Sequence, residues 1–170
     1  MKQIYILRHA QTNSAGELTE SGTNVAIILA KKLPVFDVVV SSPHQRTIQT
    51  AQLLTGKMLK TDERASFYMA AQQNSDAINS LAKEKKITFF EAVLIFDNED
   101  ILKGMYSQAN KLYELINELL DQKGNNALII SHDFTICPTL QKWGRSLVSL
   151  DNLNGAIIYD KDRYINYPRH

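Results

Sequence analysis

Three short hydrophobic runs, Ile4–Leu7, Val38–Val40 and Ala127–Ile130, each break off at a polar cluster and then lead into a helical pattern. A strand that is hydrophobic on both faces must be covered on both faces, and parallel sheets flanked by helices meet that demand. The alternation predicts an α/β chain: a three-layer α/β/α sandwich around a mostly parallel central sheet, with helices on both faces. The pair Ala156–Tyr159 and Tyr164–Tyr167, separated by Asp160-Lys161-Asp162, reads as a C-terminal hairpin.

The helices carry their own punctuation. Thr19 is placed as an N-cap with Glu20 in the first turn, and Val25, Ile28, Leu29 and Leu33 follow at helical spacing until Pro34. Ser41-Ser42-Pro43 reads as a second helix start with proline at the first helical position. A long helix is predicted from about Asp100 to Gln122, with Ile101, Met105, Leu112, Leu115, Ile116, Leu119 and Leu120 on or near one stripe and Gly124 as its stop. Asn74 to Lys86 reads as helix, Met58–Thr61 as a weak strand, and Thr88 to Phe96 fits either helix or strand.

With 170 residues, no internal repeat and no Pro/Ser-rich linker, the expectation is one domain over residues 1–170. Nineteen Lys and Arg against eighteen Asp and Glu argue against a dedicated nucleic-acid binder, which needs a strongly basic face. The single cysteine, Cys137, precludes an intrachain disulfide and a thiolate zinc cluster, and no apolar run approaches membrane length. Nothing at the N-terminus reads as a signal peptide, so the cytoplasm is the expected location.

In doubly wound sheets, ligands bind beyond the carboxyl ends of the strands. Arg8-His9, Ser41–Arg46 and Ser131-His132-Asp133 all fall there. Each alone has a plain reading: a polar strand end, a helix cap, a helix start. Together they bring two arginines and two histidines to one sheet edge, a set suited to phosphoryl transfer. Guanidinium forks pair with phosphoryl oxygens, and a helix start adds backbone N–H groups. A neutral imidazole is a competent nucleophile near neutral pH, and a second can stabilise the transition state. No Walker loop, G-x-G-x-x-G or H-E-x-x-H pattern competes, and neither cofactor nor metal is expected. Cys137, Trp143 and the Leu112/Ile116/Leu119 stripe are read as packing residues, His44 as no more than a rim contact, and His170 as terminal.

These segments resemble the histidine phosphatase superfamily, also called phosphoglycerate mutase-like. Ile6-Leu7-Arg8-His9-Ala10-Gln11-Thr12 resembles its R-H-G signature, and Leu18-Thr19-Glu20-Ser21-Gly22 its L-T-x-x-G helix start. Phe36–Ala51 resembles the segment with its second arginine, and Leu128-Ile129-Ile130-Ser131-His132 its second histidine motif. The resemblance implies a phosphatase with His9 as the nucleophile that forms a phosphohistidine. It makes Arg8, Arg46 and His132 the rest of the phosphate pocket, with Thr12 as a substrate contact; Ser42, at the start of the second helix, is a further candidate contact. It also implies turnover without metal or organic cofactor.

The sequence departs from that pattern in three ways. Ala10 replaces a glycine, the segment from His9 to Leu18 is short, and Phe67–Asp76 lacks the glutamate many members place there. Asp133 is then a possible general acid, with a helix cap as its plain reading, while Asp62 and Glu63 read as surface charge. A compact member without the glutamate is similar to bacterial phosphohistidine phosphatases. The expected partner is therefore a phosphorylated small molecule or a phosphohistidine protein, with no nucleic acid and no membrane. A mutase is less favoured on chain length, and a non-catalytic phospho-ligand-binding member is the alternative outside enzymes.

Overall fold

The computed structural model describes residues 2–68, 73–124, 126–144 and 149–159 in full, and the backbone of 160 and 163–167. Its elements run β1 (Gln3–Arg8), α1 (Glu20–Ala30), β2 (Val38–Ser41), α2 (Gln45–Thr55) and β3 (Lys60–Thr61). They continue with α3 (Ser75–Lys85), α4 (Phe89–Ile95), α5 (Glu99–Asp121), β4 (Asn126–Ser131), α6 (Asp133–Leu140), β5 (Gly155–Asp160) and β6 (Arg163–Tyr167). Short 3-10 turns follow β3 at Glu63–Ala65 and α6 at Gln141–Trp143.

The strands form one sheet in the order β3-β2-β4-β1-β5-β6. β1, β2, β3 and β4 pair in parallel, whereas β5 runs antiparallel to both β1 and β6. The expected mostly parallel sheet and terminal hairpin are both present. The hairpin's Lys161 and Asp162, and His170, lie outside the described residues.

Alternation along the strands divides the core in two. Ile4, Ile6, Ala127 and Ile129 pack on one face with α5 and α6 through Met105, Leu112, Ile116 and Ile136. Tyr5, Leu7, Leu128 and Ile130 pack on the other with α1 and α2 through Ala26, Leu29, Ala51 and Leu54. Both faces are covered, which explains why these strands carry no polar alternation. Burying each of these leucine, isoleucine and methionine side chains contributes about 1.5–3 kcal/mol.

Three boundaries differ from the sequence reading. α1 ends at Ala30, because the amides of Lys31 and Lys32 bond back to Ile28 and Leu29 in a tightened last turn, four residues before Pro34. α5 ends at Asp121 with Gln122 as its C-cap, ahead of Gly124. α2 begins at Gln45 with His44 at the N-cap, so Pro43 precedes the helix instead of opening it. Proline disfavours helical geometry in the residue before it, and here Ser42 uses its hydroxyl on another partner. The ambiguous Thr88–Phe96 stretch is helical. Thr88 and Glu91 form a capping box: the Thr88 side chain accepts from the Glu91 amide, and the Glu91 carboxylate accepts from the Thr88 amide.

Candidate active site

β2, β4 and β1 are neighbours in the sheet, so their carboxyl ends lie side by side. Arg8 closes β1 and His9 follows it, Ser42 follows β2, and His132 follows β4. A cavity of about 280 Å³ opens there, lined by Arg8, His9, Thr12, Arg46, His132 and Asp133 among others. Six of the seven candidate residues thus share one cavity. The seventh, Ser42, touches it from behind through His132.

The backbone around His9 is pinned at each peptide group. The His9 amide donates to Ser131 O at 3.1 Å, Asn152 Nδ2 donates to His9 O at 3.0 Å, and the Ala10 amide donates to Thr50 Oγ1 at 3.0 Å. Ala10 is fully buried, and among the described residues only Lys86 and Leu153 are non-glycine residues with positive φ. The glycine of the family signature is therefore dispensable here. Gly16, at φ +82°, turns the tip of the closed Thr12–Leu18 loop. A side-chain carbon on it would lie 3.7 Å from Arg46 Nη1, so the short loop rests against the second arginine.

Hydrogen bonds assign the imidazole tautomers. His9, 6% exposed, places Nδ1 2.7 Å from Ala10 O. A carbonyl can only accept, so Nδ1 holds the proton and Nε2 keeps its lone pair. Burial, reinforced by the positive charges of Arg46 and Arg8, lowers its pKa from 6.5 to about 4, although the Ala10 bond opposes this. His132, 3% exposed, lies 3.4 Å from Arg46 Nη2 through Nδ1 and 3.1 Å from Ser42 Oγ through Nε2. A guanidinium can only donate, so Nε2 holds the proton of His132 and gives it to Ser42. Burial, then the neighbouring His9 and Arg46, pushes the His132 pKa well below the ordinary histidine range. Both rings are neutral at pH 7, with centroids 5.3 Å apart.

The two arginines are held differently. Arg8 pairs with Asp133 Oδ2 at 3.2 Å and donates to Leu150 O, while its buried Nε has no hydrogen-bond partner among the described residues. The Arg46 pKa is lowered by burial and by the charge of Arg8, with Asp133 opposing. Two guanidiniums sharing a partly desolvated cavity have the charge and geometry to pair with a multiply charged oxyanion.

Asp133 is not the cap of α6; His132 occupies that position, and Asp133 opens the helix. Its Oδ1 accepts from the Phe134 amide at 2.9 Å and its Oδ2 meets Arg8. Asp62 bonds to Arg64, which also meets Glu118, and neither Asp62 nor Glu63 lines the cavity. Cys137 is buried, its thiol pushed up to about 12 chiefly by that burial. Among the described residues no group of three or more His, Cys, Asp or Glu is placed to hold a metal ion, and no helix is long and apolar enough to cross a membrane.

The sequence did not point to Phe67, Thr50 or Asn152. Phe67 stacks on His44 at 4.5 Å, meets His132 edge-on at 4.7 Å, and lies 5.4 Å from the Arg46 guanidinium carbon. It adds an aromatic wall to the charged cluster. Thr50 carried one signal, since it lies one helical turn after Arg46 and its hydroxyl also bonds Arg46 O at 2.7 Å. Asn152 carried none.

The family model for the histidine phosphatase superfamily (branch 1) matches residues 4–154. The chain belongs to the histidine phosphatase superfamily. Solved histidine phosphatase-like folds superpose on nearly all of it. A phosphoglycerate mutase from Bacillus anthracis gives a TM-score of 0.64 at 19% identity, covering 98% of this chain and 91% of that one. A phosphoserine phosphatase from Entamoeba histolytica, solved with 3-phosphoglyceric acid, gives 0.67 at 20% identity, covering 99% and 96%. Bacillus stearothermophilus YhfR gives 0.69 at 17% identity, covering 98% and 95%. No curated protein sequence matches. At these identities the neighbours establish the fold alone, while the family match places this chain in the histidine phosphatase superfamily.

Proposed function

We propose that this chain is a phosphatase that moves a phosphoryl group from its substrate to His9 Nε2 and then to water. The observation that carries the proposal is the His9 tautomer: Nδ1 is committed to Ala10 O, leaving the Nε2 lone pair for phosphorus. In the first step Nε2 forms the N–P bond while the bond from phosphorus to the leaving oxygen breaks, and that oxygen takes up a proton. In the second, a water oxygen attacks phosphorus, the N–P electrons return to Nε2, and the water gives up a proton. Arg8 and Arg46 neutralise the equatorial oxygens. His132, held by Arg46 and Ser42, flanks the same oxygens, and Thr12 contacts them from the loop. The charge balance is met by side chains, so we propose turnover without a metal.

Asp133 is the only carboxylate among the described residues lining the cavity, and residues 69–72 contain none in the sequence. It is our candidate for the proton exchanged with the leaving group, but Arg8 already holds it. That engagement favours a second reading of the substrate, a phosphohistidine carried by a protein, because a phosphoramidate nitrogen takes its proton before cleavage.

Phosphate release from an alkyl phosphate and from a phosphohistidine peptide, with His9→Ala as the blank, tests the proposal. Turnover of either by wild type alone supports it, with label recovered on His9 after acid-free quenching. On the alkyl ester, Asp133→Asn is expected to lower kcat by about 10²–10⁴-fold, the ordinary worth of proton donation. Phosphate binding with no release from either substrate would replace the enzyme with a non-catalytic phospho-ligand binder.

A further inference from the structure

Beyond the charged cluster, the cavity wall is aromatic. Phe67, Phe89 and Phe134 line it, with Thr12 and Ser75 the only hydroxyl residues among its described lining. Phe134 is buried and braced edge-on by Phe89 at 6.0 Å and by Phe90 at 6.1 Å. Phe67 is fixed by its stack on His44. None of these rings is needed to hold a phosphoryl group, and Phe67 and Phe89, only partly buried, leave apolar surface facing the cavity.

From this we infer that the site takes phosphate monoesters carrying an aromatic ring next to the phosphoryl group, aryl and benzyl phosphates being the class. The inference rests on the phosphatase reading only for turnover; ring recognition stands on the cavity itself. Two features converge on it. A flat ring gains edge-to-face or offset contacts with Phe89 and Phe134 that a polyol cannot make. A sugar or glycerate group would instead need donors or cations of its own, yet with Arg8, Arg46, His9 and His132 given to the phosphoryl group the described lining leaves it two hydroxyls and a carboxylate already paired with Arg8. Leaving-group chemistry agrees for the aryl members of the class. A phenol ionises near pKa 10, far below an alkyl alcohol, so an aryl ester asks little of a general acid.

Phosphonates separate recognition from catalysis because they bind without being hydrolysed. Calorimetric titration would compare benzylphosphonate, cyclohexylmethylphosphonate and 2-hydroxyethylphosphonate on wild type and on Phe89→Leu. Leu keeps an apolar side chain at the start of α4 and removes the ring. Benzylphosphonate is expected to bind wild type tightest, with its lead over 2-hydroxyethylphosphonate reduced about threefold to tenfold in Phe89→Leu. The same benzylphosphonate group presented in a short peptide separates a protein-borne aryl phosphate, if it binds more tightly than the free compound, from a free one. Equal binding of the cyclohexyl and benzyl compounds, or a lead unchanged in Phe89→Leu, would overturn the inference. Failure of catalysis would instead show as no phosphate release above the His9→Ala blank, with these affinities unaffected.

Discussion

Folding strips His9 of its ordinary affinity for a proton. Its pKa is 6.5 in an open chain and about 4 in the folded one, mainly through burial. Between those values the unfolded chain binds more protons, so His9 destabilises the fold progressively as pH falls below 6.5 and fully by about pH 4. The loss is about 3 kcal/mol at the lower end of that window. His132 is shifted in the same direction and steepens the slope. Urea unfolding at pH 7 and pH 4.5 should show wild type losing more stability on acidification than His9→Gln, whose amide donor can still reach Ala10 O. Equal losses would mean that His9 is not held neutral by its surroundings. On the proposed mechanism, a His9 ring already neutral at pH 7 keeps its lone pair down to mildly acidic conditions, so activity is expected to persist there.

Helix α1 meets the loop that carries the site in a close approach at Gly22. A Cβ on Gly22 would lie 2.5 Å from Gln11 O and 2.9 Å from Gln11 N, and Gln11 O also accepts the Thr19 amide at 3.0 Å. Only glycine lets the helix start sit this close to the chain between His9 and Thr12. Alanine is the better helix former by about 1 kcal/mol, yet Gly22→Ala is expected to destabilise by about 1–3 kcal/mol through overpacking. Urea midpoints would decide it; a variant as stable as wild type would show that the backbones can part freely. The glycine of the L-T-x-x-G segment was legible as a pattern, and its cause is this approach. The strands were legible because burial on both faces leaves an unbroken hydrophobic signature. Helix α4 was not, since Phe-Phe-Glu-Ala-Val-Leu-Ile has no clean period and only the Thr88–Glu91 capping box distinguishes it from a strand. Phe67 was illegible for a different reason. Its place beside His132 comes from a contact across 65 residues of chain that no local pattern reports.

At the scale of the whole molecule the site is an electrostatic debt that a bound anion would relieve. Arg8 arrives on β1, Arg46 on α2 and His132 at the end of β4, and the sheet order forces them together. Burial first, and then the charge of Arg8, lower the Arg46 pKa, and Asp133 compensates only in part. A phosphate dianion seated there pairs with both arginines in the folded state alone, so binding must stabilise the entire fold. At a hundred times its dissociation constant the gain is about 2.7 kcal/mol. For a chain of this size each kcal/mol raises Tm by about 2–4 °C, which predicts a rise of about 5–10 °C. Sodium chloride at matched ionic strength should give far less, because screening alone does not supply a bidentate partner. In Arg46→Ala the phosphate effect should fall most of the way to the chloride control. If phosphate and chloride moved Tm equally in wild type, the convergence of charges at this sheet edge would not be an anion site, and the phosphoryl-transfer reading would lose its ground.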